Sequence, residues 1–210
     1  MGFERDSLNI EWTATLSSGD NPFSKIRSYL AAKKLRRTME SVLVLLQKHV
    51  SDVKNIYGIE VRKEQIKLQF LVSRRITISH YPTNEDIYGL MGQIRTHLAK
   101  KQVQEIALPI FNIEPAGGND YLLLVAVPVE NQLEDEGVFT TLKLLKNGLI
   151  IVTEVTGGSA AEEFGLQQLK LYAIDHHHLN VALPYRIFLN DRFKETDSTK
   201  WVTRLNYPCI

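Results

Sequence analysis

Ile106-Ala107-Leu108-Pro109 returns as Val181-Ala182-Leu183-Pro184, a separation of 181 − 106 = 75 residues. Tyr88-Gly89-Leu90 returns as Phe164-Gly165-Leu166, at 164 − 88 = 76 residues. The two anchors agree to within one loop residue, so the chain after Gly58 reads as one unit written twice. Solenoid and propeller units recur every 20 to 50 residues or so. A longer period marks a half-domain, and two half-domains make a pseudo-symmetric pair with a groove where they meet.

Around each anchor the local physics repeats. A β-rich run comes first, Ile66 to Ile78 in one copy and Phe139 to Val155 in the other, the second with a turn at Asn147-Gly148. A helix follows in each. Ser159 and Glu162 have the spacing of a capping box, and Thr83 with Asp86 is a shorter-armed version of it. Both helices should stop before the Leu-Pro pair, because the residue preceding proline is biased out of the α region. Two strands then close each unit, Ile110 to Ile113 with Tyr121 to Val129, and Tyr185 to Leu189 with Trp201 to Tyr207. Each unit thus reads βαββ. The expected fold is α+β, two βαββ units with pseudo-two-fold symmetry, repeat one over about 60–130 and repeat two over about 137–208.

Upstream of the repeats the texture differs. Leu8, Ile10, Trp12, Ala14 and Leu16 alternate with polar residues, the period of a half-buried strand. Asn21 is a good N-cap and Pro22 falls at the first helical position, and from Phe23 to Tyr57 there is neither Gly nor Pro. Phe23, Ile26, Leu30, Leu35, Met39, Leu43, Leu46 and Val50 recur near helical spacing, which predicts one long amphipathic helix. The run Val42 to Leu46 is apolar on all sides and calls for burial from more than one direction. The division expected is therefore 1–58, a strand and a long helix, and 59–210, the duplicated domain.

Bulk properties exclude several classes. In 210 residues the formal net charge is +1, so there is no global electrostatic reason to bind nucleic acid. The basic residues Lys25, Arg27, Lys33, Lys34, Arg36 and Arg37 read as the solvated face of the helix, and a single long helix is not the compact pair a helix-turn-helix needs. The one cysteine, Cys209, allows neither an intramolecular disulfide nor a cysteine-based metal site. No apolar run approaches the ~18 to 20 residues of a membrane span, and the N-terminus lacks a signal-peptide core. The expectation is a soluble, cytoplasmic chain without membrane contact, unless an upstream anchor or signal belongs to a longer protein.

The duplicated βαββ order, with a Gly-bearing turn before each helix and a Pro-led aromatic strand after it, resembles the GyrI-like small-molecule-binding domain over roughly residues 60–208. That family includes gyrase-inhibitor-like proteins and effector-binding domains of multidrug-sensing transcription regulators, and it shares its fold with SOUL haem-binding proteins. The resemblance implies binding of amphipathic or aromatic ligands between the repeats. The first 50 residues resemble, more weakly, the closing strand and helix of a START-like (SRPBCC) domain. In bacteria such domains can occur fused to GyrI-like modules, which leaves two readings open: the chain as the C-terminal piece of a longer protein, or a helix that packs on the outside of the following domain or across a dimer interface.

Two departures from the family bear on the ligand. Its second post-helix strand carries a pocket-facing Glu and a Tyr, and here Arg186 and Phe188 stand at those positions. A carboxylate suits a lipophilic cation, whereas a guanidinium suits a carboxylate or phosphate. The expected ligand is therefore neutral or anionic, with Arg186 as anchor and Phe111, Phe188, Tyr185 and Phe164 as apolar wall. The alternative, Arg186 paired with a neighbouring carboxylate and taking no part in binding, stays open. The turn before the second helix is Gly157-Gly158-Ser159, where relatives have Gly-x-Tyr. Hydrolase relatives use the pocket Glu and aromatic hydroxyls, and their loss argues for a non-enzymatic domain with no catalytic residues.

No cofactor is implied. His176, His177 and His178 are contiguous, and neighbours on a helix diverge by about 100° each, which suits a helix end better than one metal ion. His80 and His97 are isolated, and Glu130 to Glu136 reads as an exposed acidic linker. The leading expectation is a ligand-sensing module linked to transcription regulation through a partner, with the N-terminal helix mediating assembly with a protein partner or a second copy. The competing readings are a gyrase-inhibitor-like interaction module and a hydrolase of the same family.

Overall fold

The computed structural model describes residues 10–17 and 19–210, which fall into two compact units divided between Asp52 and Val53. In the first unit, α1 (Pro22–Val50) starts where expected: the Asn21 side chain accepts the Phe23 N–H at 3.0 Å, and Pro22 spends no donor in the first turn. It stops short of Tyr57. Ser51 turns its hydroxyl back onto the Lys48 carbonyl at 2.9 Å, the local hydrogen bonding by which serine ends helices, and a short α2 (Val53–Tyr57) opens the second unit. No α1 side chain is buried, so the burial expected around Val42 to Leu46 is absent among the described residues.

The expected N-terminal strand is not there in residues 10–17, while Leu8 and Asn9 lie outside the described residues. The alternation serves another purpose. Trp12, Ala14 and Leu16 line a shallow depression with Ala32, Leu35, Met39 and Leu43 of α1, and residues 10–17 are in no β-ladder. The START-like resemblance therefore rests on the helix alone. No helix among the described residues is long and apolar enough to cross a membrane.

The second unit is built on one antiparallel sheet. In chain order its elements are β1 (Arg62–Gln65), β2 (Phe70–Ile78), α3 (Asn84–Lys100), β3 (Ile110–Gly117), β4 (Asp120–Val129), β5 (Thr140–Lys143), β6 (Leu149–Thr156), α4 (Ser159–Asp175), β7 (Tyr185–Phe188) and β8 (Val202–Cys209). The strand order β1-β6-β8-β7-β3-β4-β2-β5 is symmetric about the β7/β3 seam. That seam is a single residue pair, Phe111 with Arg186, and 186 − 111 = 75 makes them the same position in the two repeats. The pseudo-two-fold axis runs between them.

The repeat unit is larger than the expected βαββ. β1 precedes the expected run Ile66 to Ile78 and is joined to β2 by a crossing, and a second crossing splits Phe139 to Val155 into β5 and β6, so β1 edges the second half by pairing with β6, and β5 edges the first half by pairing with β2. The crossings also bind each other, with Leu144 N–H on the Gln69 carbonyl at 2.8 Å and Asn147 N–H on the Ile66 carbonyl at 2.9 Å. Each half thus borrows its outer strand from the other. Both outer strands are four residues long, and β1 is charged along its length, features that keep a sheet edge from recruiting another chain.

Both helices lie on one face. α3 is capped as expected, Thr83 accepting from the Asp86 N–H and the Asp86 carboxylate accepting from the Thr83 N–H at 2.8 Å. The Ser159/Glu162 box does not form. Gly158 is the N-cap, no side chain caps the helix, and the Glu162 carboxylate turns inward to buried guanidinium groups that offer it more than a half-exposed backbone N–H. Ile87, Leu90, Ile94 and Leu98 are buried on α3, and Glu162, Gly165, Leu169 and Ala173 on α4. Every pair is 75 apart. The structural register is therefore 75, and the Tyr88-Gly89-Leu90 match to Phe164-Gly165-Leu166 is displaced by one residue. The opposite sheet face carries its own apolar cluster, including Leu71, Ile110, Leu124, Ile150, Val152 and Tyr185.

Candidate ligand groove

Strand alternation decides what reaches the helix side. On β7, Tyr185 and Ile187 join the far-face cluster, while Phe188 joins the α3 core, and Arg186 points the same way as Phe188. On β3, Phe111 and Ile113 point to the helix side and Ile110 away. Phe111 and Phe188 therefore meet near the seam, ring centroids 4.5 Å apart.

Above them, between the starts of α3 and α4, lies a cavity of about 270 Å³. Tyr81, Asn84, Phe111 and Ile113 line it from repeat one, and Glu162, Arg192 and Trp201 from repeat two. A concave junction between the halves is thus present, slightly smaller than the roughly 300 Å³ at which typical ligand sites begin.

Its wall is an ion cluster. Glu162, whose side chain is 3% exposed, pairs with Arg192 through one oxygen and with the Arg186 Nε at 3.3 Å through the other, and accepts from the Thr203 hydroxyl at 3.0 Å. The Arg186 Nε is close enough to attract the carboxylate but not aligned to donate to it. Arg186 also donates to Glu163, which in turn accepts from the Tyr81 hydroxyl at 3.0 Å. Burial pushes the Tyr81 phenol well above its ordinary range; Glu163 adds to this and Arg186 opposes it. Two guanidiniums and two carboxylates leave the cluster with no net charge.

The five wall residues expected from the sequence separate. Phe111 lines the cavity. Phe188 lies behind it, against Phe111 and under Arg192. Arg186 sits at the seam, buried and engaged by two carboxylates, and is not among the cavity-lining residues. Tyr185 is on the opposite face, where burial pushes its phenol up to about 12. Phe164 is half-exposed and lines a different depression, of about 450 Å³, with Gly58, Arg62 and Glu154.

Glu162, Arg192, Trp201 and Tyr81 were not picked out by the sequence pattern. For Glu162 a signal existed: it occupies the buried helical stripe of α4 where the first repeat has Ile87, and an ionisable residue in such a stripe needs a partner. Arg192 and Trp201 lie in or beside the β7–β8 connection, where no periodicity operates. His80 pairs with Asp86, His97 stacks on Phe139 and His176 caps α4. Among the described residues no group of His, Cys, Asp or Glu is arranged to hold a metal ion.

No family model matches the chain, and no curated protein matches it in sequence. In structure, a chain of an EcmrR–DNA complex is similar with a TM-score of 0.60 and 15% identity, over 90% of this chain and 72% of its own. The isolated EcmrR C-terminal domain is similar with a TM-score of 0.58 and 13% identity, over 72% of this chain and 98% of its own. A hydrolase from Listeria innocua is similar with a TM-score of 0.50 and 12% identity, over 75% of this chain and 96% of its own. At such identities the likeness is one of fold.

Proposed function

We propose that this chain, whose C-terminal unit has the GyrI-like effector-binding fold, is a non-enzymatic ligand-sensing domain that takes a neutral aromatic amphiphile in the groove between its repeats. The observation that carries this reading is the charge-compensated Glu162–Arg192 wall of a cavity that also presents Phe111, Ile113 and Trp201. A charged ligand entering the groove loses hydration: an anion meets only Arg192, already held by Glu162, and a cation meets Glu162 in that same pair and Glu85, an exposed rim carboxylate whose attraction solvent screens. A neutral ring system loses little and gains contact with Phe111, Ile113 and Trp201, while Asn84, Ser159 and Tyr81 offer it hydrogen bonds at the rim.

Of the two ligand classes expected from the sequence, the anionic one depended on a free Arg186. Arg186 acts instead by positioning Glu162 and Glu163. The same engagement of Glu162 leaves it no role as a proton carrier, which supports a domain that binds without reacting. Exposed apolar side chains along α1, Phe23, Ile26 and Leu30 among them, suit assembly with a protein partner or a second copy, through which binding would be relayed to transcription.

A thermal-shift comparison of three probes tests this: neutral N-phenyl-1-naphthylamine, anionic 1-naphthoate and cationic phenyltrimethylammonium. A ligand selective for the native state must raise the midpoint by mass action. The neutral probe should stabilise the protein, and Phe111→Ala should remove the effect. Stabilisation by 1-naphthoate alone, abolished in Arg186→Ala, would restore the anionic reading; indifference to all three would remove the ligand reading.

A further inference from the structure

Arg192 is the one cation among the described groove-lining residues, and it arrives on an insertion. Ile110 and Tyr185 are equivalent at the 75-residue offset, yet their ladder partners Ala126 and Asn206 are 80 apart. The β7–β8 hairpin is therefore five residues longer than the β3–β4 hairpin, and because β7 is short its connection runs over residues 189–201 where the first half has the tight Gly117–Asp120 turn. The longer connection brings Arg192 over the groove and fastens it to both halves. Its backbone N–H donates to the Tyr88 hydroxyl at 3.2 Å and its guanidinium to Asn84 Oδ1 at 3.3 Å, both on α3, while Glu162 and Thr203 accept from it on the other side.

The surroundings of that guanidinium are those of a receptor for an organic cation. Its central carbon lies 3.7 Å from the Phe188 ring centroid and 4.5 Å from that of Trp201. A buried carboxylate, Glu162, stands at the edge of the two rings. Aromatic faces with a carboxylate beside them attract guanidinium and quaternary ammonium ions, and more strongly when water is excluded. The Nε of Arg192 is buried and finds no acceptor, so the group is held by the rings and by its terminal nitrogens.

We infer that Arg192 is a tethered occupant of an organic-cation site, which sets the specificity of the groove by excluding external cations. A tethered group competes at an effective concentration on the order of millimolar or above, so a free cation of similar chemistry does not displace it. The inference deepens the neutral-ligand reading and rests on it for the location of the groove.

Isothermal titration of Arg192→Ala with ethylguanidinium and with phenyltrimethylammonium tests it, the wild type serving as reference. Saturable binding of both cations is expected in the variant, at least ten-fold tighter than in the wild type, and it should be lost when Trp201→Leu is added. A folded Arg192→Ala protein that binds neither cation better than the wild type, or binding that survives Trp201→Leu, would overturn the inference. Should Arg192→Ala not fold unaided, the wild type itself decides: the Arg192 Nε–H resonance should be shifted upfield by the two rings and exchange slowly. Exchange as fast as that of exposed Arg75 would overturn it too. N-phenyl-1-naphthylamine binding to the wild type is read separately, so loss of the ligand reading leaves this one standing or falling on its own result.

Discussion

Gly89 and Gly165 look interchangeable in the repeated motif, yet alanine should stabilise at the first and be neutral to destabilising at the second. Both lie in helix interiors, where Gly→Ala contributes about 1 kcal/mol through backbone entropy. At Gly89 an added Cβ meets nothing within 4 Å, so that gain stands alone. At Gly165 it would lie 2.5 Å from Leu205 Cδ1 and 2.8 Å from Val155 Cγ1, and Leu205 is fully buried with nowhere to retreat. Overpacking of this kind costs about 1 to 3 kcal/mol. The helix term is common to both, so the variants should differ by the overpacking term itself, about 1 to 3 kcal/mol, or roughly 2 to 12 °C in midpoint for a protein of this size. Urea unfolding with unchanged m-values measures it. Leu205→Val in the Gly165→Ala background should recover part of the loss, since neighbours in contact are not additive. Equal shifts in the same direction for the two single variants would refute the 75-residue register of the helices.

Glu162→Gln removes the carboxylate shared by two buried guanidiniums and should cost about 3 to 5 kcal/mol, whereas Glu163→Gln, at a side chain 55% exposed, should cost about 0 to 1 kcal/mol, both read by urea unfolding. Thr83→Ala should cost about 1 kcal/mol by loss of the α3 cap, with a matching rise in amide exchange confined to the first turn of that helix. Burial, with nearby Lys63 adding to it, holds the His178 imidazole below its ordinary value of 6.5. The unfolded chain then takes up the proton first, so stability is complete above pH 6.5 and falls as pH drops toward the folded-state value. His178→Gln should flatten that part of a stability-versus-pH curve, and an unchanged slope would contradict the assignment.

Much of the second unit was legible because its signals are local or periodic. Thr83/Asp86 marked a helix start, Asn21-Pro22 another, and the Leu-Pro pairs bounded both repeat helices. The repeat located the groove. What failed to show were features that depend on which chain segment a residue meets. The strand exchange left no signal: β1 is the charged stretch Arg62–Gln65 ahead of the run Ile66 to Ile78, and within Phe139 to Val155 the crossing between β5 and β6 looks like a continuous β-run. Ser159 and Glu162 have the spacing of a cap, but a tertiary attraction to Arg186 and Arg192 outweighs it. Tyr185 and Phe164 were expected beside Arg186, and strand alternation and helix rotation carry them to other faces. Alternation in Ile10 to Leu16 predicted a strand, yet a strand needs a ladder, and residues 10–17 pair with no strand among the described residues.

The central claim is that a neutral aromatic ligand occupies the cavity between the repeats, and Trp201 in its wall can report on that directly. The chain has two tryptophans, so in Trp12→Phe all indole emission comes from Trp201. Titration with N-phenyl-1-naphthylamine should give saturable energy transfer from Trp201 to the probe, abolished by Phe111→Ala and unaffected by equimolar phenyltrimethylammonium. Emission that never saturates, or that responds equally in Phe111→Ala, would mean that the hollow between the halves is not where a ligand goes.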